Sequence, residues 1–165
     1  VESHLWTPIG LRSLAPTEPG YVGRYGGGVA SRDGAYHQGT VWPWLLTPFV
    51  EAWVRARGRR PGVIAEARDR FLAPPLRHLD EHGVGHVSEI ADGDSPHTPN
   101  GCPFQAWSVG ELLRLDRLVL ATAPAGARNR RSGRPAPLRD RQAASAIYWR
   151  AGDYLRDDLR NTRAI

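Results

Sequence analysis

Apolar residues recur at helical spacing in three stretches of the chain, each bounded by glycine or proline. The first stretch starts at Thr40, an expected N-cap, and ends at Gly58. Pro43 falls in its first turn, whereas Pro48 lies deeper and is expected to kink the helix. Its apolar positions are Trp42, Leu45, Leu46, Phe49, Ala52, Trp53 and Ala56. This pattern predicts an amphipathic helix with one buried face.

Two further stretches also predict helices. The second covers residues 61–83, opens on a proline and is expected to stop at its final glycine. The adjacent Pro74 and Pro75 are expected to divide it into two pieces, because each removes a backbone donor. The third runs from Gln105 to about Ala121, and its wide apolar face is typical of a helix packed on two sides.

The remaining segments lack a sustained period. Residues 1–38 are rich in glycine and predict long loops, and a loop of this length usually carries function. Residues 84–103 also predict loop, with a short extended piece over residues 87–90. Helices separated by long loops favour an all-α fold class.

Composition divides the chain near residue 121. The apolar share of 41% and charged share of 24% are those of a globular protein, and residues 1–121 are expected to form one domain. Residues 122–165 form an Arg/Ala/Pro-rich tail, whose first part is expected to stay disordered because it has little apolar surface to bury. Residues 138–160 have the pattern of a last helix.

Charge and cysteine content limit the classes of partner. All 22 basic residues are arginine, and the net charge of +5 would permit nucleic-acid binding. However, residues 1–120 contain no stripe of arginine and aromatic residues, so we expect no nucleic-acid partner. No apolar run approaches the roughly 18 residues of a membrane span. The single Cys102 cannot form an internal disulfide and fits a reducing compartment such as the cytoplasm.

The start of the chain predicts that it is part of a longer protein. Val1 stands where a complete product would carry methionine, and the sequence contains no methionine. Residues 1–4 also lack the basic and apolar regions of a signal peptide.

Two short stretches concentrate chemically useful side chains. Residues 32–44 combine Asp33, His37, Gln38 and two tryptophans in one turn before a helix. Flat indole rings stack on sugars and short polar groups bond sugar hydroxyls, so this mixture is typical of a carbohydrate pocket. Residues 88–94 offer a carboxylate, Glu89, just before a turn that contains glycine.

These stretches occur in order with two more motifs, residues 10–16 (GLRSLAP) and 101–109 (GCPFQAWSV). Together they resemble the C-terminal glucosidase domain of glycogen debranching enzymes, the amylo-alpha-1,6-glucosidase type, over roughly residues 5–117. The resemblance implies an (α/α)6 toroid, of which this chain would supply the last helical hairpins. A partial toroid leaves apolar faces uncovered, so we expect poor solubility or association of the isolated chain.

The resemblance also implies a mechanism. Glycoside hydrolysis uses two carboxyl groups, and in debranching enzymes it is understood to invert the anomeric centre. Glu89, in the motif Ser88-Glu89-Ile90, matches the general base of the family. The family's proton donor is an aspartate in a Trp-Met-Asp segment that has no counterpart here, so the acid is expected upstream of Val1. Asp33 does not match the donor position and is expected to bind sugar hydroxyls or to organise its loop.

Further pocket residues are expected from the same motifs. Between Trp42 and Trp44, which would point to different helix faces, we favour Trp42 for the pocket because it lies closer to the turn. Arg12 and Arg32 are expected either to bond hydroxyls or to brace carboxylates such as Asp33 or Glu89. The expected substrate-binding residues are Asp33, His37, Gln38, Trp42, Gln105 and Trp107. The substrate would be glycogen or a branched α-glucan oligosaccharide, and the resemblance implies no cofactor or metal.

Several residues have a more ordinary interpretation. His37 would otherwise hold its turn by bonding a carbonyl, and Trp107 would otherwise be a core aromatic. His78 and His82 are spaced like metal ligands, but no acid or cysteine joins them at suitable spacing, so they are interpreted as solvent-facing. Residues 92–94 lack the later ligands of a calcium loop, and the glycines at 26–28 are interpreted as a flexible linker.

Two other functions remain open at the level of sequence. The chain would be a non-catalytic carbohydrate-binding fragment if it keeps the pocket wall without the acid. It would be another six-hairpin glycosidase, glucoamylase-like or trehalase-like, if the pocket chemistry is shared but the linkage differs. Oligosaccharide binding without turnover would identify the first of these, and substrate profiling of the full-length protein would identify the second.

Overall fold

The computed structural model of the chain describes residues 1–82 and 84–121. The predicted disorder and helix of the tail, residues 122–165, and the predicted helix stop at Gly83 lie outside the described residues. The domain boundary near residue 121 therefore stays a prediction.

Helices are the main regular elements of the described chain. The α-helices are α1 (Val29–Ala35), α2 (Leu46–Ala56), α3 (Pro61–Ala67), α4 (Ala73–Glu81) and α5 (Ala106–Arg114). A 3₁₀ turn over Pro43–Leu45 leads into α2. π-helical segments over Arg68–Leu72 and Leu115–Val119 join α3 to α4 and extend α5. The three predicted helices are thus confirmed: they correspond, in chain order, to α2, to the stretch from α3 to α4, and to α5.

The proline pair in the second helical stretch does not break it. Pro74 lies in the first turn of α4, and the caps at Ala67, Arg68 and Ala73 all keep right-handed helical dihedrals. Pro74 and Pro75 have no N–H for the carbonyls four residues earlier, at positions 70 and 71. Those carbonyls lie in the π-helical segment, so the irregularity precedes the prolines instead of interrupting the helix after them.

The start of α2 differs from the prediction. Residues Val41–Trp42 form a strand, and Thr40 does not cap a helix because its hydroxyl donates to the carbonyl of Tyr36, at 2.5 Å. The predicted kink at Pro48 is wrong for a related reason. Since α2 begins at Leu46, this proline lies in the first turn, where the missing N–H is tolerated.

A five-stranded antiparallel sheet corrects the all-α class, although the helices themselves are confirmed. The strands are β1 (Trp6–Thr7), β2 (Gly10–Arg12), β3 (Val41–Trp42), β4 (Ile90–Ala91) and β5 (Pro99–Asn100). They pair in chain order, with Leu11 opposite Trp42 and Val41 opposite Ala91. Residues 1–38 therefore hold a hairpin and a short helix where the composition predicted only loops.

Two apolar clusters support these elements. The larger one packs α2, the α3–α4 stretch and α5 around the fully buried Phe71, whose ring is met at its edge by Trp6, Phe49 and Trp53. The smaller one joins Ile9, Val41 and Ala91 across the sheet. In the described residues no helix is long and apolar enough to span a membrane. The six-hairpin toroid stays a prediction.

Candidate active site

Pairing of β3 with β4 brings the two motif stretches together. β3 lies within the motif at residues 32–44, and β4 begins directly after Glu89. The backbone of Glu89 is also fixed by residues that follow β5, because its N–H donates to the carbonyl of Cys102 at 2.8 Å. The sheet therefore places a carboxylate beside the polar and aromatic turn.

Two donors hold the carboxylate of the partly buried Glu89. The hydroxyl of Tyr36 donates to Oε1 at 2.5 Å, and the main-chain N–H of Cys102 donates to Oε2 at 3.0 Å. Gly101 supplies the space for this contact, since a Cβ at that position would lie 2.6 Å from Glu89 Oε2. Its φ of +71° is also one that glycine adopts readily.

Tyr36 is itself tightly anchored. Its carbonyl accepts the hydroxyl of Thr40 and the indole N–H of Trp42, at 2.5 and 3.2 Å. Burial, followed by the hydrogen bond and negative charge of Glu89, raises the pKa of the Tyr36 phenol to about 12. At neutral pH the phenol therefore keeps its proton and donates a hydrogen bond to the carboxylate.

An aromatic cluster extends from Tyr36, whose ring contacts His37 and Trp42. His37 stacks on Trp42 with the ring centroids 5.2 Å apart and the planes 7° apart. Trp107 on α5 meets Trp42 at 6.4 Å and Trp44 at 5.5 Å. The Trp107 side chain is 50% exposed, so it is not the core aromatic of the more ordinary interpretation. It presents an indole to solvent beside the turn.

Trp42 and Trp44 were predicted to point to different faces of one helix, but they lie in different elements. Trp42 belongs to strand β3 and is buried, whereas Trp44 lies in the 3₁₀ turn and is partly buried. Trp42 therefore supports His37 from behind. Both tryptophans still contact Trp107.

The polar residues of the motifs lie at the surface around this cluster. Asp33, on α1, is exposed, and within the described residues no hydrogen bond or ion pair joins it to Glu89. His37 and Gln38 are also exposed. Gln105 is partly buried at the N-cap position of α5, and its N–H donates to the carbonyl of Val87 at 3.0 Å.

Neither arginine braces the carboxylate. Arg12 donates to the carbonyls of Gly93 and His4, at 2.8 and 3.3 Å, so it organises the loop after β4. Arg32 is exposed on α1 and, in the part of the chain that the structure describes, forms no ion pair with Asp33 or Glu89. The bracing interpretation is therefore wrong for Glu89.

Comparison with known proteins identifies the family of this chain. Residues 1–114 match the family model described as amylo-alpha-1,6-glucosidase. The chain belongs to this family. It is also similar to the glycogen debranching enzyme of Saccharomyces cerevisiae, with 28% identity over 126 residues. That match covers 66% of this chain but 8% of the yeast protein, and the resemblance inferred from the four motifs is confirmed.

Sequence reasoning missed two carboxylate contacts in this family member. Tyr36 lies inside the motif at residues 32–44 and bonds Glu89. The sequence offers a signal for this contact, because the Tyr36 phenol is the one acidic hydroxyl in a turn of sugar-binding residue types. Asp92 belongs to the segment interpreted above as an incomplete calcium loop. Its carboxylate is buried and accepts the Tyr25 N–H and the Asn100 amide, both at 2.9 Å, so it fixes the loops on either side.

The histidines of α4 line cavities whose walls do not include Glu89. His78 is 4% exposed, which corrects its interpretation as solvent-facing, because α4 packs toward the β1–β2 turn. A cavity of about 160 Å³ there includes His78, His82 and His97 but no aromatic ring of the tryptophan, tyrosine or phenylalanine type. It lacks both Glu89 and a stacking surface, so the candidate sugar site is the one at Glu89.

Proposed function

We propose that residues 1–121 form the base-bearing part of a glycoside hydrolase site, which in the intact protein removes α-1,6-linked glucose at branch points of glycogen or limit dextrin. The observation that carries the proposal is the Glu89 carboxylate, which is held by two donors. One of these donors, Tyr36, belongs to an aromatic cluster that continues through Trp42 to the half-exposed indole of Trp107. Membership in the amylo-alpha-1,6-glucosidase family and the likeness to the yeast debranching enzyme support this substrate class.

Glu89 acts in this proposal as the general base of an inverting hydrolysis. Its carboxylate removes a proton from a water molecule, whose oxygen attacks the anomeric carbon while the glycosidic oxygen departs. Each carboxylate oxygen accepts one protein donor, from Tyr36 or from Cys102. A carboxylate has about four acceptor positions, so capacity remains for the water.

The general acid in this proposal comes from a segment upstream of Val1. The family's proton donor lies in a Trp-Met-Asp segment, and neither of the two motifs that contain acidic residues has this segment. Asp33 forms no hydrogen bond with Glu89, the proposed base. The missing acid would protonate the leaving oxygen from the other side of the scissile bond. Such a division fits a six-hairpin toroid, in which separate hairpins contribute to one funnel.

The surrounding residues would bind the glucose unit. The exposed face of Trp107 stacks on the sugar, and His37, backed by Trp42, bonds a hydroxyl. Asp33 and Gln38 are exposed in the same motif, and Gln105 lies at the N-cap of α5, the helix that carries Trp107. Two carboxyl groups suffice for this hydrolysis, so it requires no cofactor.

Glucose release from a singly branched α-1,6 dextrin tests the proposal. The substrate is given to this chain and to the gene product extended upstream, each as wild type, Glu89→Gln and Glu18→Gln. We expect activity in the extended wild type and a loss of roughly 10²–10⁴-fold in extended Glu89→Gln, because the base is removed. Glu18 is exposed in an early loop, so Glu18→Gln is the matched control and stays active.

Other outcomes would contradict specific parts of the proposal. Undiminished activity in extended Glu89→Gln would refute the role of Glu89. Activity in this chain alone would place the acid within it and make Asp33 the first residue to test. Oligosaccharide binding without turnover in the extended protein would favour the non-catalytic function, and hydrolysis of another linkage would favour another six-hairpin glycosidase.

A further inference from the structure

We propose that Tyr36 is the positioning residue of the base: its hydroxyl holds the Glu89 carboxylate in the orientation that accepts a proton from the attacking water. This inference rests on the proposed function of Glu89. The contact joins side chains 53 positions apart in sequence, across the β3–β4 pairing, with 2.5 Å between the phenol oxygen and Oε1. The family resemblance described above implies roles for other residues of the motif but none for this tyrosine.

The position of the phenol is fixed from three directions. The Tyr36 carbonyl accepts two hydrogen bonds, from Thr40 and Trp42. The ring packs against the rings of His37 and Trp42, each at 4.8 Å between centroids, and against Tyr25 at 5.9 Å. The hydroxyl is therefore a rigid point from which to orient a carboxylate, as a preorganised site requires.

The direction of the hydrogen bond follows from the chemistry of the two groups. An ionised carboxylate can only accept, so the phenol must donate. The raised pKa of Tyr36 keeps the donor protonated over the whole neutral range. Tyr36 therefore serves as a permanent donor, and it does not exchange protons with the base during turnover.

Orientation by a single donor would leave the carboxylate free to rotate. The Cys102 N–H holds Oε2, and the Tyr36 hydroxyl holds Oε1, so the two contacts together define the plane of the group. When the hydroxyl is removed, Oε2 remains tethered but the plane is no longer fixed. A displacement of about 1 Å in a reacting group is enough to reduce a rate by roughly 10²-fold.

Tyr36→Phe in the extended protein tests this inference. The variant keeps the ring and its packing but loses the donor. We expect kcat for glucose release to fall by about tenfold to a hundredfold while KM stays within about twofold, because the base is misoriented and the sugar contacts are kept. A tyrosine that merely shapes the pocket would change KM instead. An unchanged kcat in Tyr36→Phe, with Glu89→Gln inactive, would overturn the inference and leave the proposed function standing.

Tyr21→Phe is the matched control. The hydroxyl of Tyr21 also donates to a carboxylate, Asp94 Oδ1 at 2.9 Å, but that carboxylate is not the proposed base. We expect this variant to retain the wild-type kcat. An equal loss in Tyr21→Phe and Tyr36→Phe would refute a specific role for Tyr36.

A second measurement detects the contact without relying on turnover. The urea midpoint is determined for wild type, Tyr36→Phe, Glu89→Ala and the double variant. We expect Tyr36→Phe to lower the midpoint in the presence of Glu89 but not in the Glu89→Ala background, where the partner is already gone. Equal shifts in both backgrounds would show that the two side chains do not interact and would overturn the inference.

Discussion

Gly101 is the residue on which the position of the base most depends outside its two donors. Its backbone has a φ of +71°, and a Cβ there would lie 2.6 Å from Glu89 Oε2 and 3.0 Å from Ile90 Cγ1. The first distance is too short for a real contact, and the second is tight. A side chain at this position must therefore displace the carboxylate.

We predict that Gly101→Ala lowers the kcat of the extended protein by about tenfold or more, because the Glu89 carboxylate is pushed away from its donors. Initial rates of glucose release, measured well below the unfolding temperature, check this prediction. Gly110→Ala is the control, since Gly110 is exposed on α5 and a Cβ there has nothing within 4 Å. A Gly101→Ala protein with wild-type kcat would contradict the tight contact.

For single residues, the motifs indicate which side chains are functional but not which side chains contact each other. Glu89 and Trp107 can be selected from the sequence because they lie in stretches that resemble a family. The hydrogen-bond partner of the Glu89 carboxylate cannot be selected in this way. The bond from Tyr36 depends on strands β3 and β4, which are too short to show an apolar–polar alternation with a period of two. The burial of Trp42 is likewise hidden, because the apolar pattern predicts a helix where this residue lies in a strand.

At the scale of the elements, the C-terminal end of α2 is closed by two backbone hydrogen bonds. The Gly58 N–H donates to the Arg55 carbonyl and the Arg59 N–H donates to the Val54 carbonyl, both at 3.1 Å. This is the Schellman arrangement, and Gly58 takes the left-handed conformation it requires, with a φ of +81°. The stop predicted at Gly58 is confirmed.

We predict that Gly58→Ala lowers the free energy of unfolding by about 1 kcal/mol, because an L side chain is strained at this φ. Gly62→Ala is the matched control within the next helix. Gly62 lies in the first turn of α3, and a Cβ added there would have no atom within 4 Å, so alanine should raise stability by roughly 0.5 kcal/mol. Urea denaturation measures both, and opposite signs are expected. A stabilising Gly58→Ala would refute the cap.

The helices can be predicted because ten or more residues of apolar periodicity carry a strong signal. The sheet cannot, since four of its strands have two residues and the other has three. The π-helical segment at Arg68–Leu72 is also invisible in the pattern. The prolines mark its neighbourhood, but the sequence does not indicate that the chain stays helical through them.

For the whole molecule, several arginines of the described residues join helices through ion pairs. Arg114 pairs with Glu51 at 2.8 Å and joins α5 to α2, and Arg68 pairs with Asp116 at 2.5 Å across the two π-helical segments. Arg57 lies over the ring of Trp53 at 3.9 Å. These contacts give part of the arginine content a structural use and add no support for a nucleic-acid partner.

The proposed reaction uses residues beyond the described ones. The match to the yeast debranching enzyme covers 8% of that protein, and the proposed acid lies on a segment before Val1. The stereochemistry of the product reports on both carboxyl groups at once. A base that activates water gives inversion, whereas a carboxylate that attacks the sugar directly gives retention.

The most direct test of Glu89 as a general base is therefore the anomer of glucose that is released first. Proton NMR of the extended protein with a singly branched α-1,6 dextrin separates the two anomers before they equilibrate. The proposed mechanism predicts β-glucose first, and release slowed by roughly 10²–10⁴-fold in the Glu89→Gln variant. Initial release of α-glucose would show retention and would contradict the assignment of Glu89 as the base that activates water.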